Sequence, residues 1–125
     1  MPWTIQRTDD HPRILEVSYI GLVTPAELNE CIGQAIATGR THALSRVLTD
    51  CTCMTGGHTL VDLYAAVELM IARGLAGAFV EAILLPSLPE SEERVQFWET
   101  ACHNRGIRVR LFADRAAAVD WLESV

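Results

Sequence analysis

The sequence contains no lysine, and its ten basic side chains are all arginines, scattered from Arg7 to Arg115. The formal net charge is −6. A protein that binds nucleic acid needs a clustered basic face to neutralise phosphates, and neither the sign nor the spacing of these charges supplies one. The sequence therefore argues against nucleic acid as a partner.

Long apolar runs are also absent. No stretch approaches the roughly 20 apolar residues that a membrane-spanning helix needs. The segment from Met1 to Thr8 has no apolar run after its charged residue. We therefore expect a soluble cytoplasmic protein without a membrane span, in which the four cysteines are free thiols.

The chain of 125 residues, half of them hydrophobic, is long enough to bury roughly two thirds of the surface of its unfolded form. The sequence shows no internal repeat, no low-complexity segment and no dividing linker. We predict one domain that spans residues 1–125 and folds without a metal, a disulfide or a cofactor.

Two segments of alternating apolar and polar residues stand near the start of the chain. Trp3–Arg7 and Arg13–Ile20 are predicted to form a β-hairpin around the turn-forming cluster Asp9 to Pro12. Glu16 and Ser18 share one face of the second strand, so the sheet is expected to have a partly wet side.

The following segment carries a strong helix-start signal. Thr24 can cap the helix, Pro25 suits its first position, and Glu27 completes a capping box, with Gly39 as the predicted end. The remaining predicted elements are a central strand from Arg46, a helix at 60–74, a strand at 80–86, a helix from a cap at Ser87 to Gly106, a strand at 107–112 and a helix capped by Asp114.

The stretch Arg46–Thr59 is the predicted centre of the molecule. It is expected to be a buried strand that ends at Asp50 and continues as a loop through Gly56 and Gly57. Thr59 is predicted to cap the next helix. Because this loop follows a central strand, any functional site is expected there.

Strands that alternate with helices predict the α/β class. We expect the order ββαβαβαβα, with a mostly parallel five-stranded sheet, an antiparallel first strand and helices mainly on one face. Ligands of such sheets gather outside the carboxyl ends of the strands. The loops at 21–24, 50–59, 86–90 and 113–115 would meet at that edge.

The segment Arg105–Leu122, Arg-Gly-Ile-Arg-Val-Arg-Leu-Phe-Ala-Asp-Arg-Ala-Ala-Ala-Val-Asp-Trp-Leu, together with the order of elements, resembles bacterial SpoIIAA-like proteins of the STAS superfamily. This group contains anti-sigma-factor antagonists. The likeness implies a SpoIIAA-like fold and a non-enzymatic module that binds a protein or a small ligand.

Antagonists of this superfamily carry an Asp-Ser-Ser-Gly motif whose serine is phosphorylated. A gapless count from Asp50 places His58 and Thr59 on its first two residues and Leu60 and Val61 on the last two. The motif is therefore missing, and the sequence looks closer to a branch of uncharacterised STAS or SEC14-like proteins. Thr59 is predicted to be a helix cap first and a phosphate acceptor only second.

Three other chemistries are weaker alternatives. Cys51, Cys53 and His58, with Asp50, could bind zinc, although no second Cys or His pair follows. A thiol with His58 could act as nucleophile and base, although no third residue orients them. The pair Gly56-Gly57 could cradle a phosphate, but a tight connection explains it better.

The function predicted from these observations is a non-enzymatic regulatory or interaction domain that binds a protein partner. The predicted contact residues are Asp50, His58, Thr59 and Ser87, with no catalytic residue and no metal ligand. The alternative is a carrier or sensor of a small apolar or amphipathic ligand, suggested by apolar residues near the predicted rim: Met54, Leu60, Tyr64, Leu88 and Trp98.

Two structural expectations complete the prediction. A single layer of helices would leave Ile14 and Ile20 partly uncovered, which predicts a homodimer. Trp121 is predicted to be a core residue that anchors the last helix across the sheet, three residues after Ala118 and beside Leu122.

Overall fold

The computed structural model describes residues 1–7 and 10–125, so Asp9 of the predicted hairpin turn lies outside the described residues. The elements follow the predicted order. They are β1 (Trp3–Arg7), β2 (Ile14–Leu22), α1 (Pro25–His42), β3 (Arg46–Gly56), α2 (Leu60–Ala72), β4 (Val80–Leu84), α3 (Pro89–His103), β5 (Arg108–Phe112) and α4 (Arg115–Ser124).

The five strands form one sheet in the order β1-β2-β3-β4-β5. β1 pairs antiparallel to β2, and the other neighbours are parallel. Because each parallel crossover carries a helix, the loops that follow β2, β3, β4 and β5 lie at one carboxyl-terminal edge. The predicted α/β class and topology are confirmed.

Three helices cover one face of the sheet and one helix covers the other. The larger core joins α1, α2 and α3 to the strand residues that point toward them, among them Val17, Cys51 and Ile83. On the opposite face α4 packs Ala118 and Leu122 against the sheet. The prediction that the helices lie mainly on one face is confirmed.

The face of the sheet covered by α4 is less exposed to solvent than the sequence predicted. Ile14 is completely buried beneath α4, whereas Ile20 is exposed. Glu16 is buried as well and pairs with Arg115 at the start of α4. The expected partial exposure of Ile14 is therefore wrong, since the last helix covers it, and the homodimer stays a prediction that now depends on Ile20.

The central strand is longer than predicted. β3 continues to Gly56, so Asp50 lies within the strand and not at its end. β2 remains beside it to Leu22, and the register shifts twice because β3 contributes one extra residue at each shift. The prediction of a loop from Asp50 was wrong because the end of β2 supplies hydrogen-bond partners to these residues.

The predicted helix starts hold with one exception. Thr24 forms its capping box with Glu27, and Asp114 accepts hydrogen bonds from two amides of α4. The cap of α3 is Leu88, without a side-chain hydrogen bond, so the predicted cap at Ser87 is wrong. Pro89 at the first position fixes the helical φ angle there.

The end of α1 also differs from the prediction. The helix passes Gly39 and ends at His42, followed by Ala43 in the left-handed conformation. Gly39 lies close to the backbone of Leu44, whose amide donates a hydrogen bond to the Gly39 carbonyl over 2.8 Å. A Cβ atom at Gly39 would lie 3.0 Å from the carbonyl oxygen of Leu44.

The carboxyl-terminal end of α4 is held against the sheet. Arg46 donates through Nε to the carbonyl of Leu122 over 2.9 Å and through Nη2 to the carbonyl of Val125. Trp121 is only partly buried and packs on Phe112 with ring centroids 5.7 Å apart. The prediction that it is a core residue is therefore corrected: it lies at the border of the smaller core.

Candidate functional site

The carboxyl-terminal edge of the sheet brings two of the predicted contact residues together. The carboxylate of Asp50 accepts hydrogen bonds from the amide of Thr52 over 2.9 Å and from its hydroxyl over 2.6 Å. Ser87 donates to the carbonyl of Thr52 over 3.4 Å. Thr52 thus links Asp50 and Ser87, and both remain accessible from the edge.

Thr59 is the cap of α2, as its sequence position predicts. Its hydroxyl accepts from the amide of Asp62 over 3.2 Å, and Asp62 in turn accepts from the Thr59 amide over 2.8 Å. The hydrogen bonds from the Thr59 amide and hydroxyl lower the pKa of Asp62. This reciprocal pair fixes the first turn of α2.

His58 lies beneath the edge and not on it. Its side chain is 5% exposed, and Nδ1 is 2.9 Å from the carbonyl oxygen of Val23. The Val23 amide donates to the carbonyl of Gly56 over 2.8 Å. Residues 56–58 therefore hold the end of β2, and the interpretation of Gly56-Gly57 as a tight connection agrees with this geometry.

Several large apolar side chains are exposed at this edge of the molecule. Those at the end of β2 and the start of α2 stand out, with Leu22 exposed by 67%, Val61 by 77% and Tyr64 by 52%. Leu60 and Val61 follow Thr59 directly in the first turn of α2. The set, called the edge surface below, comprises Leu22, Leu60, Val61, Tyr64 and Leu88.

A cavity of about 390 Å³ lies between the sheet and helices α1, α2 and α3. Most of its wall is apolar, including Leu28, Ile36 and Leu63. Two residues predicted to line a ligand rim, Met54 and Trp98, belong to this wall. The predicted rim residues Leu60, Tyr64 and Leu88 belong to the edge surface instead.

The cavity contains one charged side chain on the sheet. Glu81 of β4 is 8% exposed and accepts hydrogen bonds from the hydroxyl of Thr49 and from Nε1 of Trp98, the latter over 2.9 Å. Burial raises the pKa of Glu81, while the bonds from Thr49 and Trp98 oppose that rise. A buried carboxyl is thus held in a fixed orientation beside the cavity.

The buried thiols are not activated as nucleophiles. Burial raises the pKa of Cys31 to about 11 and raises that of Cys51 well above its ordinary value. A thiol must ionise to act as a nucleophile, so neither is poised for catalysis. The alternative of Cys51 with His58 as nucleophile and base loses its chemical basis.

The proposed zinc ligands do not share one environment. The register shift after Asp50 leaves Cys51 buried and Cys53 exposed, although the two residues are only two apart. Within residues 1–7 and 10–125, no group of three His, Cys, Asp or Glu side chains is arranged to hold a metal ion.

The role of Glu81 was missed by sequence reasoning. The signal was present, since Glu81 is the one charged residue in the apolar run Val80–Pro86. A carboxylate in an interior strand carries a high desolvation cost and therefore marks a position with dedicated partners.

Comparison with known proteins identifies the fold. An uncharacterised protein of the DUF3478 family with a SpoIIAA-like fold, from Shewanella loihica PV-4, superposes with a TM-score of 0.62 and 19% identity over 96% of this chain and 91% of that one. The anti-sigma factor antagonist SpoIIAA in its unphosphorylated form superposes with a TM-score of 0.62 and 14% identity over 98% of this chain and 99% of that one. The chain has a SpoIIAA-like fold, as the sequence resemblance predicts.

No protein-family model matches the sequence, and no curated protein matches it significantly. Among the helices of the described part of the chain, none has the length and apolar character needed to cross a membrane.

Proposed function

We propose that this domain is a non-enzymatic regulatory module that binds a protein partner through the edge surface. The observation that carries this proposal is the exposure of large apolar side chains around the first turn of α2, where Val61 is exposed by 77% and Tyr64 by 52%. Exposed apolar groups gathered in one region favour association with another protein.

Polar groups at the same edge suit the rim of such an interface. Asp50 and Ser87 are both bonded to Thr52 and keep accessible oxygens. Protein interfaces typically combine an apolar centre with a polar rim. Asp50, Ser87 and Thr59 are therefore proposed as rim contacts, while His58 supports the surface from below through Val23.

The fold adds support from a neighbour of known type. One of the similar structures reported above is an anti-sigma factor antagonist, a protein named for its opposition to another protein. At 14% identity the likeness extends to the fold, so the choice of partner belongs to the edge residues of this chain. The cytoplasm is the compartment that this proposal assumes.

Phosphorylation of Thr59 is not expected to control this domain. The Thr59 hydroxyl lies 2.9 Å from a carboxylate oxygen of Asp62, whose lowered pKa keeps it ionised at neutral pH. A phosphate on Thr59 would face that negative charge. The repulsion opposes a stable phosphorylated form.

The proposal is tested by capture of partners from extracts of the source cells on the immobilised wild-type protein, followed by binding measurements with the purified partner. Val61→Asp should weaken binding about tenfold or more, because it places a charge in the apolar centre of the interface. Ala116→Asp introduces the same group on the exposed side of α4 and should bind like the wild type.

Equal binding by both variants would show that the partner docks elsewhere. Circular dichroism spectra that match the wild type establish that both variants are folded. Because Val61 and Ala116 are both exposed, neither change disturbs the core.

A further inference from the structure

The cavity beneath α1, α2 and α3 is independent of the edge surface, and its open end lies on the other side of the molecule. Its exposed lining residues lie in the last turn of α1 and in the loops after α1 and α2, at the amino-terminal edge of the sheet: Arg40, Ala43, Ser45, Gly74 and Ala78. At the carboxyl-terminal end its lining residues Met54 and His58 are buried. The cavity is therefore entered between the loop after α1 and the loop after α2.

The wall of the cavity suits an apolar molecule of modest size. A volume of about 390 Å³ is at the lower end of the roughly 300–1,000 Å³ of small-molecule sites. Side chains from all three covering helices and three strands converge on this space, among them Leu28, Leu63, Val95 and Ile83. An apolar body of an elongated molecule can replace the water or empty space between them.

Glu81 gives this apolar space one directional group. Glu81 is the second residue of β4 and lies opposite Val47 near the start of β3. Its carboxyl group therefore lies a short way inside the entrance at the amino-terminal edge. Thr49 and Trp98 are both neutral donors. They orient the carboxylate but leave its charge uncompensated.

Within the described residues, no arginine or histidine forms an ion pair with Glu81. Two arginines also line the cavity, but Arg40 is exposed at its entrance. Arg94 lies toward the carboxyl-terminal edge, where its Nη1 would be 3.4 Å from a Cβ atom built on Gly56. A buried carboxylate without a cation is costly, and a cationic ligand would supply the missing partner.

We propose that this cavity binds small amphipathic amines, with the ammonium group paired to Glu81 and the apolar body between the sheet and the three helices. Each carboxylate oxygen has lone pairs beyond the one used by Thr49 or Trp98. An ammonium group carries three donors and fits between these oxygens. The site is a second binding site, distinct from the edge surface.

Three probes that share an apolar chain and differ in the head group test the site: decylammonium, decanol and decanoate. Binding is measured at neutral pH by titration calorimetry, below the concentrations at which the probes form micelles. Decylammonium should bind about tenfold or more tightly than decanol, because a hydrogen bond to a charged partner is worth more than a neutral one. Decanoate should bind most weakly, since Glu81 repels it.

Two variants locate the head group and the body. Glu81→Gln keeps the shape and removes the charge, so it should bind decanol like the wild type and lose the preference for decylammonium. Glu93→Gln, an exposed carboxylate on the same helix as Trp98, is the matched control and should keep that preference. Ala35→Phe, which fills the cavity from α1, should weaken binding of all three probes.

The decanol measurement also reports folding, because a misfolded Glu81→Gln variant would lose decanol as well. If Glu81→Gln is misfolded, Thr49→Val is used as the test variant instead. It removes one donor that orients Glu81 and should reduce the preference for decylammonium over decanol. Failure of the wild type to bind any probe would overturn the site. Tighter binding of decanoate than decylammonium, or an unchanged preference in folded Glu81→Gln, would overturn the head-group assignment.

Discussion

The indole Nε1 of Trp98 donates a hydrogen bond of 2.9 Å to Oε1 of Glu81 and so joins α3 to β4. An indole N–H can only donate, so this bond favours the ionised carboxylate. Burial acts in the opposite direction and dominates, since the pKa of Glu81 is raised. The domain thus keeps a carboxyl group that costs stability at neutral pH, which is understandable where that group serves binding.

Glu81→Gln should change how stability depends on pH. Because the pKa is raised from 4.5, the folded wild type retains a proton that the unfolded chain has released, and its stability falls as pH rises from about 4.5 to the folded pKa. Glutamine does not titrate, so the variant should gain stability relative to the wild type across that window. Urea unfolding at several pH values measures the difference.

Three titratable groups that interact with Glu81 titrate above this window. The pKa of Tyr19, like those of Cys31 and Cys51, is raised by burial above its own ordinary value. Glu93→Gln, on the exposed side of α3, should show no comparable gain. A constant difference between Glu81→Gln and the wild type at all pH values would contradict the raised pKa.

Thr59→Ala should lower the free energy of unfolding by about 1 kcal/mol, the usual value of a helix cap. The loss arises because the hydroxyl accepts from the Asp62 amide and alanine leaves that donor without a side-chain partner. Thr100→Ala is the control, since Thr100 lies inside α3, where alanine is the better helix former. Equal effects of the two changes in urea unfolding would refute the capping role.

Gly57→Ala should be severely destabilising. The φ angle of Gly57 is +103°, and a Cβ atom there would lie 2.6 Å from the carbonyl oxygen of Val23. Strain of this kind costs about 1–3 kcal/mol, and the backbone collision adds to it. The melting temperature should fall clearly further than for Gly77→Ala, which has φ +72° and no atom within 4 Å.

Trp121→Ala should cost about 1–3 kcal/mol, less than the roughly 3–5 kcal/mol of a fully buried tryptophan. Its main loss is the ring contact with Phe112, because the side chain is only partly buried. Leu122→Ala provides the comparison, since Leu122 is fully buried and should cost about 2–5 kcal/mol. A larger loss of stability for Trp121→Ala than for Leu122→Ala in calorimetric unfolding would show that the indole is a core residue.

The sequence by itself determined the features written into neighbouring residues. The caps at Thr24, Thr59 and Asp114 depend on hydrogen bonds that span two or three positions, so they were predictable. The alternation of apolar and polar residues and the order of strands and helices led in the same way to the sheet topology. The fold class follows from these local periods and from the short connections between them.

Only the tertiary structure decided which residues are buried and which element covers them. Asp50 became a mid-strand residue because β2, far away in sequence, continues beside β3. Ile14 and Glu16 became buried because α4 returns across the open face. His58 became a buried support through Val23, and Glu81 became a buried carboxyl group in a cavity between three helices and the sheet. The burial of a residue depends on which element, distant in sequence, packs on its face of the sheet. A local sequence pattern does not predict that packing.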